Sequence, residues 1–428
     1  MRRGIKGLAV IAALPLALAA CSSGDSGGGE SSPSPANPGD VSGTVVYWDT
    51  SDSTNEAPAF KDLIKKFEAE YPNVKVEYQN VPFSEAQNKY KTAAQADNAP
   101  DVLRAEVAWT PEFASLGYLL PLTGTALDTP DAYLPTPFSS NVYENVQYGV
   151  PQVTDALGLM YNKELLQKAG VEAPKTWDDV KAAAPKLKDA GVDALYSATG
   201  GYQTLPYIYS FGGNTVDPAT QKILINDPES VAGFQEALTL IDDGAAVKPD
   251  PNDAYNQMMA MFKEGKLAMM INGPWSVADV DTGKAFKGKE DNLGVTTTPA
   301  GPDGKQGSPV GGHNYVVSAG TKNEAASLAF VQYMNSPESQ AYIATELGLL
   351  PTQTAAYDLP EVSGDATVSV WKPVVESATP RAWIPEGGQL FTAMDEQWIN
   401  MYTGKATAQE GADAIAKAWT EFLPDYTD

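Results

Sequence analysis

One cysteine, one histidine and, beyond the first three residues, only two arginines occur in a chain of 428 residues. Each scarcity excludes something. A lone cysteine cannot close a disulfide, and a lone histidine without spare thiols leaves the soft ligand set of a zinc or iron centre unfilled. No Gly-rich run ending in Lys and Ser or Thr is present, so phosphate-loop nucleotide binding is not expected, and no cofactor is expected. Basic charge is short throughout, with 29 Lys and Arg against 54 Asp and Glu and a net charge of -25. That balance excludes nucleic acid as a partner, because phosphate contacts need the opposite sign. Nor is any apolar run long enough to span a bilayer, which takes about 20 residues.

What is present begins with a targeting pattern. Arg2, Arg3 and Lys6 lead an apolar run from Leu8 to Ala19, which closes as Leu18-Ala19-Ala20-Cys21. This is similar to a bacterial lipoprotein box, and the similarity implies cleavage after residue 20 and diacylation of Cys21. An ordinary cleaved signal is the other reading, and it leaves an unpaired thiol in an oxidising space. Ser22 to Gly43 is Ser, Gly, Pro and Asp, a composition that cannot offset its ordering entropy by burial, so 21–43 reads as a flexible tether. Processing at Cys21 removes three basic residues and shifts the charge from -25 to -28. The remaining 408 residues suffice for two cores, since single cores stop growing near ~250–300 residues.

Beyond the tether, short apolar runs alternate with helical patterns, an α/β signature. Gly43–Trp48 reads as a strand, Phe60, Leu63, Ile64 and Phe67 fall on one helical face, and Val74, Val76 and Tyr78 alternate as a second strand. This opening β-α-β unit predicts a parallel sheet. Ala156–Tyr161 is expected as a strand, Asn162–Ala169 as a helix closed by Gly170, and Thr176 with Asp179 as a capping box. Asp227-Pro228 opens a helix whose Phe234, Leu238 and Ile241 are expected inward, ending at Gly244. A helix over Tyr255–Lys263, a strand over Leu267–Ile271 and a last helix capped by Thr407 and Glu410, with Ile415, Trp419 and Phe422 packed, complete the pattern.

Several segments together resemble the extracellular solute-binding proteins of carbohydrate ABC importers, family 1, especially the maltose and maltodextrin branch. They are Ala99-Pro100-Asp101-Val102, Gly117-Tyr118-Leu119-Leu120-Pro121-Leu122, Tyr148-Gly149-Val150-Pro151, Leu159-Met160-Tyr161-Asn162-Lys163-Glu164-Leu165-Leu166 and Ile271-Asn272-Gly273-Pro274-Trp275. Gly311-Gly312, Ser336-Pro337-Glu338 and Leu349-Leu350-Pro351-Thr352 follow in order. The resemblance implies a two-lobed periplasmic-binding-protein-like fold of type II, each lobe a β-sheet flanked by helices, joined by hinge segments. Crossovers are expected near Val150–Asp155, Val295–Pro299 and Asn335–Ser339. One lobe would take 44–152 plus 299–335 and the other 153–298 plus 336–428. Closure of such a hinge buries the ligand and presents a distinct shape to an importer.

A pyranose offers a C–H face to an aromatic ring and an equator of hydroxyls that donate and accept, so sugar sites combine Trp or Tyr with carboxylates, Arg and Asn. By resemblance, Trp275 stacks on the sugar, although core packing is the alternative. Arg104, Glu106 and Trp109 lie where relatives reach sugar hydroxyls. Arg104 and Arg381 each bridge hydroxyls or instead lock a structural carboxylate. Asp155, beyond the first crossover, matches an acceptor of hydroxyl bonds. Tyr202 matches an aromatic stacker, but Gly200 and Gln203 depart from the maltose pattern, which leaves the sugar open. Asp52 and Glu56 occupy a loop that supplies acceptors or merely caps a helix. Trp383 and Glu386 resemble a late loop that completes the cleft. His313, beside the Gly311-Gly312 pair, lines the site or lies at the surface, and the glycines bring backbone close to the ligand. Trp48, Trp177, Trp371, Trp398 and Trp419 are assigned to packing.

The function implied is a lipid-anchored receptor at the extracellular face of the membrane, a monomer and not an enzyme, that captures maltose or malto-oligosaccharides. Its partners would be the oligosaccharide, the permease subunits, and the membrane through the lipid anchor only. The same role for trehalose, a β-linked oligosaccharide or a pseudo-oligosaccharide is the alternative. An exported glycosidase using Glu106 and Asp155 as its carboxylates, and a scaffolding lipoprotein, are more remote.

Overall fold

A computed structural model describes residues 37–427. The signal, Cys21 and most of the tether lie outside the described residues. Gly43–Asp49 forms β1, whose inward Val45 and Tyr47 are fully buried. Ala57–Glu70 forms α1, and its stripe of Phe60, Leu63, Ile64 and Phe67 is buried as the helical spacing requires. Val74–Asn80 forms β2, parallel to β1. Phe83–Gln95 is α2 and Val102–Glu106 is β3, again parallel to β1, followed by Trp109–Ser115 as α3.

Two long strands change the character of this sheet. Gly149–Ala156 (β4) is buried along its whole length and leads within two residues into Gly158–Asn162 (β5) of a second sheet. After excursions through that sheet, Val310–Val317 (β10) returns and inserts between β3 and β4, antiparallel to both. The first sheet therefore has the order β2-β1-β3-β10-β4 and is mixed rather than parallel. The β-α-β signal is local, whereas the strand that reverses direction arrives from 204 residues beyond β3.

The second sheet adds Asp193–Tyr196 (β6), Ala246–Val247 (β7), Leu267–Asn272 (β8) and Leu293–Thr296 (β9) to β5, in the order β7-β6-β8-β5-β9. Its helices begin where the caps predict: Asn162 accepts from Leu165 N, Thr176 and Asp179 bond reciprocally, and Thr407 and Glu410 do the same. One stripe differs from expectation. On the helix Pro228–Asp242 the buried residues are Ser230, Gly233, Phe234, Ala237 and Leu240, while Leu238 and Ile241 are only half-buried. Gly233 lets the helix backbone sit against Ile208, which rotates the buried stripe toward the glycine. Phe422 likewise falls beyond the last helix, which ends at Trp419.

Helices cover both faces of both sheets and bury all five tryptophans expected in the core. Distant segments of the chain meet at one carbonyl. Pro151 O of β4 accepts from Asn335 Nδ2 at 3.2 Å, Gln340 Nε2 at 3.4 Å and Thr352 Oγ1 at 2.5 Å. Gln340 Oε1 in turn accepts from the backbone N–H groups of Thr352 and Gln353. Such a buried and mutually satisfied network fixes the geometry of a junction that apolar packing alone would leave loose.

Candidate functional site

The ends of three adjacent strands converge where the lobes face each other. Glu106 closes β3, Asp155 lies near the end of β4, and Val310 to His313 open β10 between them. Strand register places His313 opposite Glu106 and Gly311 opposite Asp155. A Cβ at Gly311 would strike the Asp155 carboxylate and the Tyr202 hydroxyl, and one at Gly312, at φ 126°, the Val153 carbonyl. The glycine pair thus admits two polar side chains and a neighbouring strand.

Across the gap, Arg381 completes the group. Its guanidinium pairs with Glu106, and its Nε donates to Val310 O at 2.9 Å. Three aromatic rings surround it, with Tyr202 and Trp383 at 5.4 Å and Phe391 at 5.7 Å from the cation. Burial works against this charge, but Glu106 and Tyr202 outweigh it and hold Arg381 firmly protonated. Arg381 thus pairs with a carboxylate and a backbone carbonyl at the meeting of the lobes. Arg104 differs: it is 1% exposed, lies over the Phe60 ring, and donates from Nε to Gln152 Oε1 at 2.9 Å. Among the described residues it forms no ion pair.

Burial dominates the electrostatics. It raises Asp155 to about 7, with Arg381 opposing the shift and Glu106 adding to it. It also raises Glu56 and Tyr202, and drives His313 far below its usual value, so this imidazole is neutral. Neither ring nitrogen of His313 has a protein partner or is open to solvent, while the residue as a whole is half-buried.

The other expected residues divide. Trp109 is buried, with its ring stacked on Phe83 at 5.2 Å. Trp275 packs on the cores of both lobes and donates from Nε1 to Tyr255 Oη at 3.3 Å, its ring folded over Gly273, where any Cβ would collide. Trp383 donates to Ser139 Oγ at 2.9 Å across the gap. Asp52 is exposed and accepts from Thr54 N and Asn55 N, so its carboxylate is spent on a turn, while Glu56 is buried and accepts from Asp52 N. Glu386 stays half-buried, acting electrostatically on Tyr143 and Tyr426. Sequence reasoning missed Phe83, Tyr255 and Phe391. Phe83 had a signal, an aromatic opening a helix directly after Pro82, but nothing in the pattern told it from a core residue.

A polar cluster enclosed between two α/β lobes suits capture of a small solute, and the comparisons decide the family. The family model described as bacterial extracellular solute-binding protein matches residues 51–341. The chain belongs to that family. The solved structures of the GacH receptor of Streptomyces glaucescens, unliganded and with acarbose and an acarbose homolog, match at 44% identity and a TM-score of 0.87. That alignment covers 91% of this chain and 100% of the other. A maltotriose-binding protein of Pyrococcus abyssi is 27% identical over 82% of this chain and 75% of its own length. A maltooligosaccharide ABC transporter solute-binding lipoprotein of Streptococcus pneumoniae is 29% identical over 71% and 73%. The fold of this solute-binding protein is thus the type II two-lobed one, built around the two five-stranded sheets, with β4 running on into β5 of the second. No helix of the described residues is long and apolar enough to cross a membrane.

Proposed function

We propose that this solute-binding protein captures a malto-oligosaccharide, or an acarbose-like pseudo-oligosaccharide, between its lobes and delivers it to an ABC importer. The observation that carries the reading is the meeting of Glu106, Asp155, Tyr202, Arg381 and Trp383 where the lobes face each other, with Trp109 beside Gly388 of the opposite lobe. Rings supply faces for pyranose C–H groups, while buried carboxylates and a planar cation supply acceptors and donors for hydroxyls. Three named relatives, for acarbose, maltotriose and maltooligosaccharides, support the sugar class.

The protein acts without transforming its ligand. Glu106, which a glycosidase would need as acid or nucleophile, is held by Arg381 and by the N–H of Ala108 at 2.9 Å. Cys21 carries the lipid that holds the receptor at the outer face of the membrane, and the lobes divide near 152, 298 and 335. The receptor works as a monomer that meets permease subunits with its closed form.

Thermal shifts against maltose, maltotriose, maltotetraose, acarbose, trehalose, cellobiose, lactose and xylobiose test this. A ligand at 100 times its dissociation constant adds about 2.7 kcal/mol of stability. Stabilisation by the α-linked members and acarbose is expected, with no release of reducing sugar. A flat response across the panel refutes the reading.

A further inference from the structure

The sequence of α2 shows an apolar face that outruns the fold. Phe83, Ala86 and Tyr90 follow one another at helical spacing, and Ala86 and Tyr90 are completely buried beneath the first sheet. Phe83 continues that stripe beyond the cover, and 50% of it remains exposed, one of three large apolar residues left so among the described residues. The position is not arbitrary. One face of the Phe83 ring lies on Trp109, centroids 5.2 Å apart and planes 28° apart, and an edge contact at 6.0 Å and 73° joins it to His313. From the opposite lobe, Gly388 reaches the same spot, since a Cβ there would lie 2.9 Å from Gln87 Nε2 and 3.5 Å from Trp109 Cδ1. Gln87 is one helical turn from Phe83. Phe83 therefore stands at the mouth of the gap, backed by a tryptophan, beside an imidazole without a protein partner.

A phenyl ring half in water adds little to folding that a polar residue at the first turn of a helix would not match. Backed by Trp109, it is held flat with little rotamer freedom left to lose, which is what a stacking surface for a pyranose requires. We propose that the outer face of Phe83 is a platform for a hexopyranose unit of the bound oligosaccharide, at the mouth of the cleft. The bound chain then extends from the buried polar group at Asp155 and Arg381 to this rim, and Phe83 sets the preferred chain length. This rests on the sugar-binding reading above.

The experiment is calorimetric titration of the full receptor and of Phe83→Ala, Phe83→Leu and Phe83→Tyr with maltose, maltotriose and maltotetraose. Phe83→Ala and Phe83→Leu are expected to lose roughly two- to tenfold in affinity for the longest chain that binds and less than twofold for the shortest. Phe83→Tyr, which keeps the ring, retains wild-type affinity for all. Leucine keeps apolar cover over Trp109, so a loss shared with alanine reports the missing ring face rather than damaged packing, and unchanged melting curves confirm the fold. An equal loss at every length, or none at any, overturns the platform while leaving the sugar reading intact. Wild-type protein that binds none of the three sugars and no acarbose overturns both.

Discussion

Replacing Asp155 with Asn isolates the cost of burying a carboxylate at the centre of the site. Asp155 is 6% exposed, and the cation nearest in influence, Arg381, is engaged by Glu106. Burial lifts its pKa from 3.8 to about 7. The folded state therefore holds this proton more tightly than the unfolded state. Stability from that proton is full below pH 3.8, declines as pH rises, and is gone above about 7. At 1.36 kcal/mol per pH unit the penalty above that range is on the order of 4 kcal/mol. Asparagine has the same shape and no charge to bury. Relative to Asp155→Asn, the wild type should be equally stable near pH 4 and less stable by up to about 4 kcal/mol at pH 8. Urea unfolding of both proteins at pH 4, 5.5, 7 and 8 measures the gap. A gap that does not grow with pH, or a variant less stable than wild type at pH 8, refutes the reasoning. Binding should move the other way. Sugar hydroxyls donating to the carboxylate favour its ionised form, so wild-type affinity rises from pH 6 to 8, and the variant loses about 1.5–3 kcal/mol of binding at pH 8.

Two other substitutions separate stacking from closure. Trp275→Ala should weaken oligosaccharide binding by roughly 1–4 kcal/mol in titration calorimetry with the fold intact, and unchanged affinity would return this ring to a purely packing role. Glu106→Gln strands the Arg381 guanidinium, whose side chain is 8% exposed, beside a neutral amide. A loss of about 2–4 kcal/mol in urea unfolding is expected, with a larger radius of gyration in solution scattering as the lobes part.

The elements were legible because their causes are local. Caps at Thr176 and Thr407, the αL glycine at position 170, the stripe of α1 and the alternation of β2 follow from backbone hydrogen bonds and side-chain periodicity within a few residues. The order of family motifs carried the two-lobed plan, and the same resemblance nominated Glu106, Asp155 and Tyr202, while the scarcity of arginine drew attention to Arg381. What no local pattern contains is adjacency between distant segments. Insertion of β10 between β3 and β4 makes the sheet mixed, sets His313 opposite Glu106, and needs glycine at 311 to admit Asp155 and Tyr202. Pairing of Arg381 with a carboxylate 275 residues earlier, and the contrast with Arg104 over Phe60, depend on where the loop that carries Arg381 meets the end of β3. Exposure of Phe83 was equally hidden. Its helical spacing marks it as core, and only the place where the first lobe stops covering α2 leaves that ring in the open.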